Sequence, residues 1–338
     1  MNAPTPTSPT TAAATPNTKI VSPAPTSAPL VAKPAPLTPS GAKPKMIQAA
    51  PPFSMGAPNT AVSKWLKLFV YARPGGGKTT LLGSAADVPQ MRDVLYIDAE
   101  KGYMAIAENP RIKNPELVME NRIPVDNFKT VAMIHDYLKG HCKHRDENNI
   151  EKLRESEARI RGCSPEDIIE PKKFYTVLID SMTEVDIYCT YGLLGLTQEK
   201  LLHGEASDID VARFDEFRKN NQMVQMLCRA FRDLPIHVLA ASHEKYSEDE
   251  LKKKTYMPAL TGQLANQVPG FFDIVGWLTF VKEGDNLTRK MMVQPVGNFV
   301  AKNRRAVYKP DHFRDPTMMD IMKGCGLLKP ELPVENAK

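Results

Sequence analysis

The feature that most narrows what this chain can become is the run from Ala72 to Thr80, ARPGGGKTT. It follows an apolar stretch from Lys64 to Tyr71 (KWLKLFVY) and precedes a segment able to form a helix. An apolar run of that length that ends in glycines reads as a buried strand. Consecutive glycines let the backbone turn so that successive N–H groups converge on one point, and a following helix amino terminus adds partial positive charge. Strand, glycine turn, lysine, hydroxyl and helix together form the phosphate-binding loop, or P-loop. Its contacts are expected from Arg73, Pro74, Gly75, Gly76, Gly77, Lys78, Thr79 and Thr80. In such a loop Lys78 reaches the β- and γ-phosphates of ATP, and the Thr79 hydroxyl ligates Mg2+. Ala72 stands where the motif usually has its first glycine. That replacement would strain the turn if the position needed a positive φ.

A loop of this kind needs an acid at the end of another strand to hold the Mg2+ shell. Phe174 to Asp180 (FYTVLID) supplies one, so Asp180 is read as the second metal-shell residue beside Thr79. Asp93 to Asp98 (DVLYID) predicts a further strand, closed by the acidic pair Asp98 and Glu100. A carboxylate at Glu100, facing the nucleotide from that strand end, would orient the attacking water.

Further along, residues 129–139 carry Val131, Ile134 and Leu138 at helical spacing. Residues 141–172 are dense in charge and read as a surface insertion, helical near Ile150 to Arg161. Within it His141, Cys142 and His144 lack a second Cys or His pair at zinc spacing, and read as an exposed polar loop. Residues 213–234 predict a long helix with Phe217, Val224, Leu227, Phe231 and Leu234 on one side. Strands are expected at Pro235 to Ser242, Ile274 to Val281 and Lys290 to Pro295. Alternating strands and helices imply an α/β domain over residues 61–325, a mostly parallel sheet with helices on both faces.

Residues 1–60 do not share this pattern. They hold 14 of the 29 prolines, are rich in Ala, Thr and Ser, and lack Asp and Glu. Such a segment buries too little apolar surface to offset the entropy of ordering, and is expected to be a disordered tail; residues 326–338 are read as a short carboxyl-terminal tail. Four lysines in the first segment account for most of the net charge of +5, so bulk charge does not argue for a nucleic-acid partner. No stretch approaches the ~20 apolar residues of a membrane span, so no membrane partner and a cytoplasmic location are expected. Five scattered cysteines fit reduced, mostly structural thiols.

Taken together, Ile97 to Glu100, the strand ending Asp180-Ser181 and the strand ending Ser242-His243 resemble the RecA-like P-loop ATPase core. The resemblance implies that Glu100 activates water and that His243, beyond the fourth strand, senses the γ-phosphate. Lys302 and Arg304, in the sequence AKNR, are similar to the basic pair that RecA-like recombinases and DnaB-like helicases insert into a neighbour's nucleotide site. On that reading both act in trans and the protein is a homo-oligomer, a ring or a filament. The loops that hold DNA in such cores correspond to residues 195–212 and 244–262. The second offers Lys245, Tyr246, Lys252, Lys253, Lys254 and Tyr256 for phosphate contacts and base stacking, among acids that nearly cancel its charge.

Within that class the chain resembles phage-encoded AAA/RecA-type nucleotide-binding proteins of the Sak type, which are linked to single-strand annealing and recombination. That likeness implies a DNA-stimulated ATPase with ATP and Mg2+ as cofactors. Its expected partners are single-stranded DNA and recombination or replication proteins, in a host cytoplasm. A nucleotide-dependent binding module and a DNA translocase or helicase accessory ATPase remain the alternatives.

Overall fold

The apolar run before the glycine turn forms strand β1, Lys67–Ala72, every residue of which is buried. In the computed structural model, which describes residues 64–197, 200, 213–295, 297–305 and 311–328, this strand lies at the middle of a mixed sheet. On one side are β5 (His237–Glu248), β4 (Thr176–Asp180), β2 (Val94–Asp98) and β3 (Arg122–Pro124), in that order and all parallel. On the other side β7 (Ile274–Glu283) is also parallel to β1. Beyond it the sheet turns antiparallel through β8 (Asn286–Met292) and β10 (His312–Arg314). Two short strands complete it: β6 (Lys254–Pro258) folds back on the far half of β5, and β9 (Lys302–Asn303) pairs with the start of β7.

Side chains of β1 alternate between two cores, as strand geometry requires. Phe69 and Tyr71 enter one, packed under α2 (Phe128–Asp146), α4 (Met182–Leu193) and α5 (Phe214–Arg232). Leu68, Val70 and Ala72 enter the other, with Leu81 and Leu82 of α1 (Lys78–Gly83) and Ile321 of α6 (Met318–Gly324). Burial on both faces is why β1, β4 and the first half of β5 read as unbroken apolar runs. The expected α/β domain, with a mostly parallel sheet covered on both faces, is what forms. The amino-terminal segment read as a tail lies outside the described residues, as does the carboxyl end from residue 329.

Three expectations need correction. The stretch His141 to His144 is not an exposed loop but the last turns of α2, with His141 and Cys142 fully buried. Its polar groups are used: His141 Nε2 accepts from the Phe174 N–H (3.3 Å), and Arg145 donates to the carbonyls of Phe174 and Pro235 (2.8 and 2.9 Å). The charged segment is therefore pinned to the start of β4 through α2, and the rest of it forms α3 (Ile150–Arg161), where Leu153 is buried. Along α5, Phe217 stays 41% exposed, and the buried stripe begins at Asn220, whose amide donates to Asp186 (2.6 Å). Finally, β8 starts at Asn286 rather than Lys290, because Gly284, with φ 62°, closes a two-residue turn that sets Glu283 opposite Asn286.

Two buried histidines tie this fold to pH. Burial pulls His141 down to about 4 and His237, which accepts the Leu66 N–H at 2.9 Å, down to about 3. Both are neutral in the folded chain but take up a proton near 6.5 when unfolded, so stability falls as pH drops from 6.5 toward 4. The melting temperature is expected to decline over that range, and to decline less steeply in a His141→Gln, His237→Gln variant. An unchanged slope would contradict the assignment.

Candidate nucleotide site

β1 ends in the glycine turn. Gly75 and Gly77 take φ of 73° and 83°, in the left-handed region that glycine enters without steric cost. Ala72 needs no such freedom: it is the last residue of β1 and pairs with His243 of β5. A Cβ on Gly76 would lie 2.6 Å from the Ala72 methyl, and one on Gly77 would lie 2.5 Å from Arg289 Nη1. Alanine at the usual first glycine is thus accommodated as strand, not strained as turn. Helix α1 begins at Lys78, so its first backbone N–H groups face the loop without intrahelical partners.

Parallel pairing brings the acids to the same edge of the sheet. Thr79 Oγ1 donates to Asp180 Oδ2 at 2.5 Å, across 101 residues of sequence. Asp180 is 2% exposed; burial raises its carboxyl to about 6, against the pull of the Thr79 hydrogen bond and Lys78. The backbone N–H groups of Ala99 and Glu100 both donate to the Asp180 carbonyl (2.7 and 3.1 Å), which locks the end of β2 against the end of β4. Glu100 Oε1 then lies 3.1 Å from His243 Nε2. That hydrogen bond, with the His243 and Lys78 charges, holds the Glu100 carboxyl below its ordinary value against the effect of burial.

Asp98, the other member of the acidic pair, has a different task. It is fully buried and accepts from Arg122 Nε (2.6 Å), the Tyr96 hydroxyl (3.1 Å) and the Gly102 N–H (3.2 Å). It holds the turn that presents Glu100. His243 is held in turn by its own N–H, which donates to Thr183 Oγ1 at 2.9 Å.

Four buried polar atoms at this edge lack a well-formed hydrogen bond: Asp180 Oδ1, Glu100 Oε2, Ser181 Oγ and His243 Nδ1, and the Ser181 hydroxyl adds to the forces that lower the Glu100 carboxyl. The free Asp180 oxygen beside the Thr79 hydroxyl is a hard oxygen pair of the kind Mg2+ accepts. Mg2+ usually takes one or two protein oxygens and completes its shell with water and substrate phosphate. Among the described residues no group of three or more His, Cys, Asp or Glu forms a protein-only metal cage. The residues therefore fit the ion.

Other expected site residues are placed elsewhere. The Arg73 side chain turns outward and pairs with Glu244 Oε1 (3.1 Å), whose Oε2 accepts from Trp277 Nε1 (2.6 Å). Pro74 is exposed, and Thr80 Oγ1 accepts from Asn109 Nδ2 (3.0 Å). Lys302 and Arg304 do not approach the loop of their own chain. β9 pairs with Ile274 and Val275, at the end of β7 remote from the turn, and Lys302 Nζ donates to the carbonyls of Pro269 and Gly270 (2.9 and 3.0 Å). The Arg304 side chain is exposed. The expected loop at 244–262 is largely a hairpin of β5 and β6, while most of 195–212 lies outside the described residues.

Sequence reading missed Arg289. It is buried on β8, donates to the carbonyls of Gly77 (3.4 Å) and Pro316 (3.0 Å), and sets its Nε 3.2 Å from Asp315. No local motif marks it, because its place beside the loop depends on β8 pairing beyond β7.

A glycine turn between strand and helix, with its threonine bonded to an acid that ends another parallel strand, defines a P-loop nucleotide-binding domain. The chain belongs to the AAA domain family, whose model matches residues 64–305. Among solved structures it is similar to the flagellar accessory protein FlaH from Methanocaldococcus jannaschii, at 11% identity over 74% of this chain and 84% of that one, with a TM-score of 0.35. It is also similar to a KaiC-like protein from Pyrococcus horikoshii OT3, at 10% identity over 70% of this chain and 83% of that one, with a TM-score of 0.34. No curated protein matches it. No described helix is long and apolar enough to cross a membrane.

Proposed function

We propose that this chain is an ATPase of RecA-like type that acts on single-stranded DNA in phage-type recombination, annealing or repair. The observation that carries the ATPase reading is the convergence of Lys78, the Thr79–Asp180 hydrogen bond and the His243–Glu100 pair on one edge of the sheet. Lys78 and the backbone N–H groups of the turn hold the β- and γ-phosphates. His243 donates to one oxygen of Glu100, which leaves Oε2 to accept a proton from a water aligned on the γ-phosphorus. Thr79 and Asp180 would hold Mg2+, which would supply positive charge against the negative charge that builds on the phosphates.

The DNA part of the reading rests on the β5–β6 hairpin. Tyr246 is 55% exposed, Lys254 Nζ sits 4.6 Å over its ring, and Tyr256 stacks on Trp277 with ring centroids 5.1 Å apart. Exposed aromatic faces beside lysines suit stacked bases and phosphates. Arg304, exposed and away from its own loop, is the better placed of the two expected trans-acting cations, since Lys302 is already bonded to two carbonyls. A site completed by that arginine would require a homo-oligomer, a ring or a filament, assembled with recombination or replication proteins.

Phosphate release from ATP is expected to rise with both single-stranded DNA and protein concentration. Turnover indifferent to both would count against DNA assembly and favour a nucleotide-dependent binding module.

A further inference from the structure

Asp180, Glu100 and His243, which gather at the γ-phosphate end of the loop, come from β4, β2 and β5, all on one side of β1. The rest of the nucleotide must therefore leave on the other side, past β7 and β8. A cleft of about 480 Å3 opens there, between the loop, Thr80, the segment around Arg111 and the β7–β8 hairpin.

Strand alternation explains what floors it. On the face of the hairpin turned toward α1, Leu278 sits opposite Met291, then Phe280 opposite Arg289, then Lys282 opposite Leu287. Leu278 and Met291 are buried in the core under α1. One step outward the core ends, yet the face stays apolar: Phe280 is 46% exposed and Leu287 68% exposed, both on the cleft wall. Arg289 joins this shelf to the loop through the Gly77 carbonyl. Asp315, across the cleft, is balanced by Arg289 and by Arg111 (2.7 Å), so its carboxylate does not repel a polyphosphate.

We propose that this cleft is the nucleoside subsite, with a purine ring laid on the Phe280 and Leu287 shelf. The assignment rests on the proposed ATPase reading and adds the residues that select the base. An occupant must be joined to a phosphate in the loop, present a flat apolar face to Phe280 and Leu287, and offer polar edges to arginine donors at the rim. A nucleobase meets these terms, and the larger purine face covers more of the shelf than a pyrimidine does.

The test compares the full chain with a Phe280→Ala, Leu287→Ser variant, titrated with Mg-ATP and separately with inorganic tripolyphosphate. Both side chains are exposed, so the fold should survive. The variant is expected to bind ATP about tenfold more weakly, from the loss of stacking, while tripolyphosphate binds as before. Unchanged ATP affinity would overturn the subsite, as would an equal loss for both ligands, which would mean the residues support the loop rather than the base. CTP competing with ATP on equal terms in the wild-type chain would overturn the purine assignment. A wild-type chain that binds neither ATP nor tripolyphosphate would overturn the phosphate-loop reading, and the subsite with it.

Discussion

Replacing Glu100 by Gln is expected to slow ATP turnover by about a hundred- to ten-thousand-fold, the span associated with loss of a positioned general base. The substitution is nearly isosteric, and the Gln carbonyl can still accept the hydrogen bond that His243 now gives to Oε1. What disappears is the negative charge on Oε2, the oxygen that His243 leaves unbonded at this edge. Lys78, Thr79 and Asp180 are left in place, so nucleotide affinity should change little. The pattern of retained binding with lost hydrolysis separates a water-positioning role from a structural one. Normal phosphate release by the variant would remove Glu100 from the mechanism.

The Lys78→Ala variant should fail at an earlier step. Lys78 is 5% exposed, and its charge lowers the carboxyls of both Glu100 and Asp180. Without it two acids face the phosphates with no cation from the loop. A buried charged hydrogen bond of this kind is worth several kcal/mol, so ATP affinity should fall by about a hundredfold or more. Turnover should be undetectable at ordinary ATP concentrations. Titration with a fluorescent ATP analogue reads the affinity directly, and an unaltered value would contradict the phosphate role given to Lys78.

These two residues and their partners were legible in the sequence for a common reason. The glycine turn follows β1, Asp180 ends β4, Glu100 comes two residues after β2 and His243 follows the buried half of β5, and such buried strands announce themselves as apolar runs with polar residues at or just past the carboxyl end. What the sequence hid was whatever depends on pairing between distant segments. Arg289 reaches Gly77 only because β8 lies two strands from β1, and Glu244 meets both Arg73 and Trp277 only because β5 and β7 flank β1. The resemblance places a DNA-holding loop at residues 244–262, and a resemblance carries no information on strand pairing within it. The pairing of β5 with β6, Tyr246 opposite Tyr256, supplies a cross-strand aromatic contact that composition does not reveal. In α2 the charge density pointed to surface, yet Arg145 and His141 go inward, because Phe174, just before β4, and Pro235, just before β5, leave backbone groups that those side chains satisfy. Asp98 and Glu100 looked like equals in sequence. Only the Arg122 and Tyr96 contacts show that Asp98 supports the turn while Glu100 faces the loop.

The central claim is that the edge formed by Lys78, Thr79, Asp180 and Glu100 hydrolyses ATP. The most direct measurement is phosphate release from ATP by the purified full chain, in Mg2+ and in excess EDTA, with single-stranded DNA present. The account expects release in Mg2+ and none in EDTA. Tight ATP binding with no release in Mg2+, over a range of protein concentrations, would contradict the claim and leave a nucleotide-binding module in its place.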